Sequence, residues 1–245
     1  MNSFKIILKL NILKRLKEGY SLGYNLIFPL ILTALLGVLG KSTPYGEISS
    51  YQYYHVVMIP FCIMMSIITA AYSGKDDAFS NTAKRVLLCP ISISSLITAK
   101  VIACTFVVTL FSFFTYLLLG IFISVDFSKS IYILILYCFM TFFFCSIGCF
   151  IGLSTKKFIL LKNIINIPIC IIGIFGGCFF QCYHDLSLMA WVNRSIFLCL
   201  YDNQKGMLLW LSSIFCLAGI LIVFLAVKCF KKEEYYVGSL PSYEK

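Results

Sequence analysis

Six stretches of this chain are apolar over about 20 residues or more, and they restrict its fold more than any other feature of the sequence. An apolar helix of that length crosses the hydrocarbon core of a bilayer. Backbone N–H and C=O groups find no water there, so each stretch is expected to be helical. The stretches are residues 20–39, 51–72, 93–124, 131–153, 159–180 and 207–230. The sequence therefore predicts an all-α integral membrane protein with six transmembrane helices.

The composition agrees with this class and leaves no room for a second, soluble domain. Of 245 residues, 60% are hydrophobic and 12% are charged, and the mean hydropathy is +0.95, far above that of a soluble domain. We predict one domain over residues 1–245, with an arm at 1–19, a six-helix bundle at 20–230 and a tail at 231–245. The first apolar stretch begins late and lacks a small-residue cleavage site, so we expect it to be retained rather than removed as a signal peptide.

The distribution of lysine and arginine predicts the orientation of the bundle. With six spans, sixteen of the 20 basic residues fall on one side of the membrane. The other side holds only Lys41, Lys129, Arg194 and Lys205. Because cytoplasmic segments carry the excess of positive charge, both termini are predicted to be cytoplasmic. The net charge of +10 follows from these flanking residues and does not indicate a nucleic-acid partner.

The arm before the first span has the pattern of an amphipathic helix. Asn11, Lys14, Arg15 and Glu18 recur at helical spacing and form one polar stripe, with apolar residues opposite. We predict an interfacial helix with its apolar side in the headgroups and its basic residues near anionic lipid. Two interpretations stay open, a topology signal alone or a resting place for a cytoplasmic partner.

A polar interruption at residues 73–90 separates the second and third apolar stretches. Asp76 and Asp77 stand near its start, and Lys84 and Arg85 near its end, which suits the dipole of a short helix. An apolar stripe at helical spacing consists of Phe79, Ala83, Val86 and Leu87. We predict a short amphipathic helix along the cytoplasmic surface, and an ordinary solvated loop is the alternative.

The last outer connection, residues 181–206, is long and encloses two apolar runs, 188–192 and 196–200. Each run is too short to span a bilayer and too apolar for a free loop. We predict short helices that form an outer-leaflet hairpin before the sixth span, with Trp191 at the level of the headgroups.

Motifs for catalysis and metal binding are missing from the sequence. It has no nucleophile elbow, zinc-protease motif or P-loop, so the chain is not predicted to be an enzyme or to hydrolyse ATP alone. The bodies of the spans hold almost no ionisable residues, which argues against an ion-coupled carrier. Cys145 and Cys149 lack the histidine or carboxylate neighbours of a metal site. A disulfide among Cys178, Cys182 and Cys199 is conceivable but not implied.

One motif within the interruption carries a family resemblance. The chain reads Leu87-Leu88-Cys89-Pro90-Ile91-Ser92, and Ala99-Lys100 follows in the next apolar stretch. This order resembles the type-2 ABC exporter permeases, in which a run of small and charged residues precedes Leu-Leu-x-Pro-hydrophobic-Ser and a later Gly-Lys. Ala99 replaces that glycine, and Val192-Asn193-Arg194 lacks the proline of the family's Asn-Pro. In topology the resemblance covers the whole chain.

The resemblance implies a membrane-spanning subunit of an ATP-driven exporter. Two P-loop ATPase subunits, which use ATP and Mg²⁺, would pair with this chain and a second permease, identical or homologous, and this chain would bind no cofactor. The interruption would be the coupling helix that docks on the ATPase. Its expected contacts are Lys75, Asp76, Asp77, Phe79, Lys84 and Arg85. Substrates of the family are amphiphilic (antimicrobial peptides, drugs or lipids). The short length resembles bacteriocin and lantibiotic self-protection permeases of the bacterial plasma membrane.

In a dimer of this kind, the translocation path would lie between the chains, along the second and fifth spans. Phe61, Met64, Met65 and Phe175 are candidates because methionine and aromatic surfaces adapt to amphiphiles, and packing against lipid is the alternative role. Two other classes of function stay open. One is a membrane immunity or sensor protein that binds a peptide or lipid without transport, and the other is a lipid-handling enzyme.

Overall fold

The computed structural model is built from helices throughout the part of the chain that it describes, residues 3–40, 48–80, 82–123, 127–155, 158–180, 184–231 and 235. A π-helical turn, Gly23–Ile27, joins α2 to α3, and a 3-10 turn, Phe127–Lys129, precedes α7. The helices are α1 (Ser3–Lys17), α2 (Gly19–Leu22), α3 (Phe28–Leu39), α4 (Ser50–Phe79), α5 (Ala83–Leu88), α6 (Ile93–Ile123), α7 (Ser130–Ser154), α8 (Phe158–Phe175), α9 (Leu188–Leu200) and α10 (Gly206–Lys228).

Among the described residues, four helices are long and apolar enough to cross a membrane, namely α4, α6, α7 with its preceding turn, and α10. They match the second, third, fourth and sixth predicted spans. The first predicted span is helical from α2 to α3, interrupted only by the π-helical turn. The fifth, α8, ends at Phe175 rather than at residue 180. The all-helical membrane class is confirmed, and the count of six spans stays a prediction.

Helix α4 lies at the centre of the bundle, and α7 approaches it most closely through small residues. A Cβ atom built on Gly148 of α7 would lie 2.2 Å from the Ile67 carbonyl oxygen of α4, and one on Gly152 would lie 2.2 Å from that of Ala71. No side chain fits at that distance, so glycine is what lets the two backbones touch. This contact makes α4 and α7 the structural axis of the molecule.

The arm forms α1, which packs along α6 with its polar stripe turned towards the protein. Asn11 and Arg15 are buried, whereas Leu10 and Leu13 on the other side are exposed. The prediction of an outward apolar side agrees with this arrangement. The prediction that the basic residues lie near anionic lipid is wrong for Arg15, because its guanidinium is enclosed and bonded to carboxylates.

The boundary of the polar interruption differs from the prediction. Helix α4 continues through Ser73–Asp77 to Phe79, so Asp76 and Asp77 end a long helix instead of beginning a short one. The separate helix α5 has only six residues. Packing explains the extension, since Gly74 continues the line of close contact with α7: a Cβ there would lie 3.0 Å from the Gly152 Cα.

The outer connection also differs from the prediction. The two apolar runs at 188–192 and 196–200 form one continuous helix, α9, because no residue between them interrupts the helical pattern. Between α8 and α9 the chain turns at Gly177, whose φ of 78° favours glycine. Asn193 of α9 donates a hydrogen bond to the Gly176 carbonyl at 2.8 Å, and Tyr53 of α4 donates one to the Gly177 carbonyl at 2.8 Å. These donors satisfy two carbonyls that lie just beyond the end of α8.

Candidate functional site

Charged side chains from distant parts of the chain meet at the C-terminal end of α4. We call this group the ionic cluster. It consists of Lys14, Arg15, Glu18, Asp76, Asp77, Lys100 and Tyr235. Carboxylates at the C-terminal end of a helix are unfavourable because the helix dipole places negative charge there. The position of Asp76 and Asp77 therefore requires cations from other elements.

Lys100 of α6 provides the most deeply buried cation of the ionic cluster. Its Nζ lies 2.6 Å from Oδ2 of Asp77, and only 1% of its side chain is exposed. The same ammonium donates a hydrogen bond to the Ser73 carbonyl at 3.0 Å. Lys100 thus neutralises the Asp77 carboxylate and satisfies a carbonyl of α4 at once, which offsets the cost of burying a charge.

Lys14 and Arg15 connect α1 to the same end of α4. The Arg15 Nη2 lies 3.1 Å from Asp76 Oδ2, and its Nη1 lies 2.5 Å from Glu18 Oε2. Lys14 Nζ lies 3.3 Å from Asp76 Oδ2 and 3.5 Å from Asp77 Oδ1. Burial raises the pKa of Glu18, and the neighbouring Arg15 acts against that shift. The polar stripe of α1 is therefore complementary in charge to the end of α4.

Tyr235 brings the tail into the ionic cluster. Its hydroxyl donates a hydrogen bond to Asp77 Oδ2 at 2.6 Å, and its ring is buried against Ala83 and Ala226. Burial, followed by the negative charge of Asp77, raises the pKa of Tyr235 well above its ordinary range. The phenol consequently stays protonated and remains a donor to Asp77. This contact holds Tyr235 in the same buried cluster as Ala83 of α5.

Helix α5 presents an exposed surface next to the ionic cluster. Ala83 is buried, and Val86 and Leu87 pack beside it. The outward surface consists of Lys84, Arg85 and Leu88, the last 85% exposed, and we call it the docking surface. The inward direction of Ala83, Val86 and Leu87 agrees with the predicted apolar stripe.

The six predicted coupling contacts divide into three groups. Lys84 and Arg85 are exposed, while Asp76 and Phe79 are partly buried at the end of α4. Lys75 and Asp77 are enclosed by the chain, with at most 5% of either residue exposed. Both residues lie on α4 inside the bundle, away from the exposed surface, and their predicted contact with the ATPase stays a prediction.

The candidate path residues also have different surroundings. Phe61 and Met64 are buried in the core, and the Phe61 ring packs against Phe179 at 5.1 Å between centroids. Met65 is partly buried, and Phe175 is about half exposed. The structure therefore leaves Phe175 accessible from outside the chain and encloses Phe61 and Met64.

The cysteine thiols carry no disulfide in the described part of the chain, where Cys178 and Cys199 are both buried and free. Cys182 lies outside the described residues. Cys145 and Cys149 pack in a small apolar cluster with Ala70 and Val101. No group of three or more histidine, cysteine, aspartate or glutamate side chains in the described ranges is arranged to hold a metal ion.

Comparison with known proteins gives the class. A family model described as ABC-2 type transporter matches residues 2–198, most of the chain. The chain belongs to the ABC-2 type transporter family, as the resemblance in its sequence predicted. It is a multi-pass membrane subunit of an ABC transporter and is not itself catalytic. Permeases of this family work with ATPase subunits. No curated protein matches the chain in sequence.

Of the seven members of the ionic cluster, only Asp76 and Asp77 were predicted as site residues, and the other five were missed. Tyr235 carries no motif, and nothing in the sequence relates it to Asp77, 158 positions away. The link between α1 and α4 had a signal, since a stripe with two cations faces a helix end with two carboxylates. Opposite charges on neighbouring elements could have suggested the pairing.

Proposed function

We propose that this chain is the permease of an ATP-driven exporter of an amphiphilic substrate, and that a separate ATPase binds at the docking surface. The observation that carries the proposal is a short helix with Lys84, Arg85 and Leu88 exposed and its opposite face held by the bundle. An isolated helix of six residues is not stable by itself, so its conformation depends on this attachment. An attached helix of this kind can transmit force.

The link between α5 and α4 supports a mechanical role. The Thr82 amide donates a hydrogen bond to the Asp77 carbonyl at 2.8 Å, and the Ser80 hydroxyl donates one to the Asp76 carbonyl at 2.8 Å. Helix α4 then runs through the centre of the bundle to its opposite end. A displacement of α5 by nucleotide-driven closure of the ATPase would move α4, and with it α7.

The remaining parts of the proposal concern assembly and substrate. Two ATPase subunits and a second permease, identical or homologous, would complete the exporter, with both termini of this chain in the cytoplasm. The path would lie between the two permeases, where Phe175 and its neighbours Ile171 and Ile172 border an open cavity of about 300 Å³. Apolar walls of this kind suit an amphiphile such as an antimicrobial peptide, as in a bacteriocin self-protection permease of a bacterial plasma membrane.

The test is co-expression of the chain with a cognate P-loop ATPase, followed by co-purification and measurement of vanadate-sensitive ATP hydrolysis. Arg85→Glu and Lys84→Glu should reduce co-purification and stimulated hydrolysis at least about tenfold, because each reverses a charge at the docking surface. Lys17→Glu is the matched control, since Lys17 is an exposed cation of α1 that forms no ion pair with any described residue.

Asp77→Arg is not a suitable test of docking, because Asp77 is enclosed and its reversal would disturb the ionic cluster. Equal co-purification and hydrolysis for Arg85→Glu, Lys84→Glu and Lys17→Glu would contradict docking at α5. Substrate binding with no associated ATPase in the native membrane would favour the alternative, an immunity or sensor protein without transport.

A further inference from the structure

A second site lies at the end of the bundle opposite the ionic cluster. Asp185, Ala190, Trp191, Arg194 and Phe197 line an open pocket of about 350 Å³, which we call the outer pocket. Phe197 stacks on Tyr53, near the N-terminal end of α4, at 5.6 Å between ring centroids. The ionic cluster lies at the other end of the same helix, so the two sites are separated by the length of α4.

The aromatic walls of the outer pocket are held in place by the protein. The Trp191 indole N–H donates a hydrogen bond to the Asp185 carbonyl at 2.6 Å. The Phe197 ring stacks on Tyr201 at 6.0 Å as well as on Tyr53. Although these contacts fix the rings, Trp191 remains 45% exposed. Because these rings are fixed and still exposed, they can bind a ligand without the entropy cost of becoming ordered.

The charged groups of the outer pocket are available to a ligand. Asp185 and Arg194 are both exposed, and neither forms an ion pair with any residue that the structure describes. The pocket therefore combines one carboxylate, one guanidinium and an indole around a small floor at Ala190. A guanidinium binds phosphate through paired hydrogen bonds, and an indole beside a carboxylate attracts a quaternary or primary ammonium.

We propose that the outer pocket binds the headgroup of a zwitterionic phospholipid-like amphiphile. Arg194 binds the phosphate, and Trp191 with Asp185 binds the ammonium. A volume of about 350 Å³ is near the lower end for ligand pockets, which suits a headgroup rather than a whole lipid or a folded peptide. Leu188 on the same helix is exposed, and it extends the apolar surface on which acyl chains can lie.

The inference names a substrate class for the proposed exporter and so rests on that proposal. Its test is independent of the ATPase. Trp191 and Trp210 are the two tryptophans of the chain, and Trp210 is 57% exposed on α10. In a Trp210→Phe background, the fluorescence of Trp191 alone reports on the outer pocket of the full chain in maltoside detergent.

The probe is dihexanoylphosphatidylcholine, compared with dihexanoylphosphatidylglycerol, which has the same acyl chains and no ammonium. We expect a saturable change in Trp191 fluorescence with the first lipid and binding at least about tenfold weaker with the second. Arg194→Gln and Asp185→Asn should each weaken binding of the first lipid by about tenfold. Asp202→Asn is the matched control, because Asp202 is exposed beyond α9 and does not line the pocket.

Several results would overturn the inference. Equal binding of the two lipids would remove the role of the ammonium, and unchanged binding in Arg194→Gln would remove the role of the phosphate site. Equal affinity for free phosphocholine would exclude a lipid as the source of the headgroup. Tighter binding of a cationic Lys-Leu peptide, displacing the lipid, would assign the pocket to a peptide. ATP hydrolysis that is unchanged in Arg85→Glu, together with intact lipid binding, would contradict the proposed docking and leave the outer pocket standing.

Discussion

The ammonium of Lys100 lies 2.6 Å from the carboxylate of Asp77, and both side chains are buried although they come from different helices. The pair connects α6 to the C-terminal end of α4. The hydroxyl of Tyr235 donates to the same carboxylate oxygen, so three segments of the chain share one acceptor. The stability of this end of the bundle should therefore depend on full compensation of the negative charge of Asp77 by its partners.

Removing one partner of the buried pair should therefore be costly. Lys100→Met leaves the Asp77 carboxylate buried without its cation, and the free energy of unfolding should fall by about 3–5 kcal/mol. Lys100→Met combined with Asp77→Leu should recover most of the loss, because no unpaired charge remains. Lys14→Met is the control, since the Lys14 side chain is about half exposed and its longer ion pairs contribute about 0–1 kcal/mol. Denaturant titration of the full chain in detergent compares the natural protein with the two single variants and the double variant. If Lys100→Met were no less stable than Lys14→Met, the role of the buried pair would be contradicted.

The contact between α4 and α7 should not accept a methyl group. Gly148→Ala places a Cβ 2.2 Å from the Ile67 carbonyl oxygen and 2.7 Å from the Ala70 Cβ. The helices must separate, and we expect a loss of about 1–3 kcal/mol. Gly206→Ala makes the same change at the start of α10, where no atom lies within 4 Å, and it should be neutral or stabilise the chain by about 0.5–1 kcal/mol. Equal melting temperatures for the two variants would show that the close approach does not matter for stability.

The tail should be released when Tyr235 loses its hydroxyl. Tyr235→Phe keeps the buried ring and removes the hydrogen bond to Asp77, a loss of about 1.5–3 kcal/mol for a bond to a charged group. The expected result is faster cleavage by trypsin after Lys231 at neutral pH. Tyr201→Phe, at the C-terminal cap of α9, is the control and should leave the cleavage rate unchanged.

The same contact has a defined dependence on pH. Because the folded protein raises the pKa of Tyr235 above its ordinary value of 10.0, the contribution of its hydroxyl is complete below pH 10.0 and is lost as the pH rises beyond it. The difference in cleavage rate between the natural chain and Tyr235→Phe should be constant from neutral pH to about pH 9 and shrink only at higher pH. A difference that disappears near neutral pH would contradict the assignment to the phenol.

The long helices could be predicted from the sequence because the length of an apolar run is a local property. The end of α4 could not. Lys75 and Asp77 suggested an aqueous surface, since a charged side chain is rarely buried without a partner. The partners of Asp77 are Lys14, Lys100 and Tyr235. All three lie far from Asp77 along the chain, and only the folded arrangement brings them together. A polar run can thus continue a buried helix when distant residues compensate its charges.

The sequence also did not predict which of the candidate path residues face into the bundle. Helix α4 is apolar on nearly every side, so its sequence pattern does not distinguish an inward from an outward position. Phe61 and Met64 turn out to be buried in the core, where the Phe61 ring lies against Gly173 of α8, whereas Phe175, at the end of α8, is accessible. For α5 the pattern was informative, because apolar residues at helical spacing (Ala83, Val86 and Leu87) fall on one side and leave Lys84 and Arg85 on the other.

The early end of α8 has a consequence for the bilayer if this helix forms the predicted fifth span. Helix α8 has 18 residues and is therefore about 27 Å long, whereas α4 has 30 residues and is about 45 Å long. The shorter helix falls below the thickness of an ordinary hydrocarbon core, which is about 30 Å. A fifth span of this length would require neighbouring lipids to compress or to exchange for shorter acyl chains, at a fraction of a kcal/mol per ångström. The end of α8 at Phe175 would then thin the membrane locally around this helix.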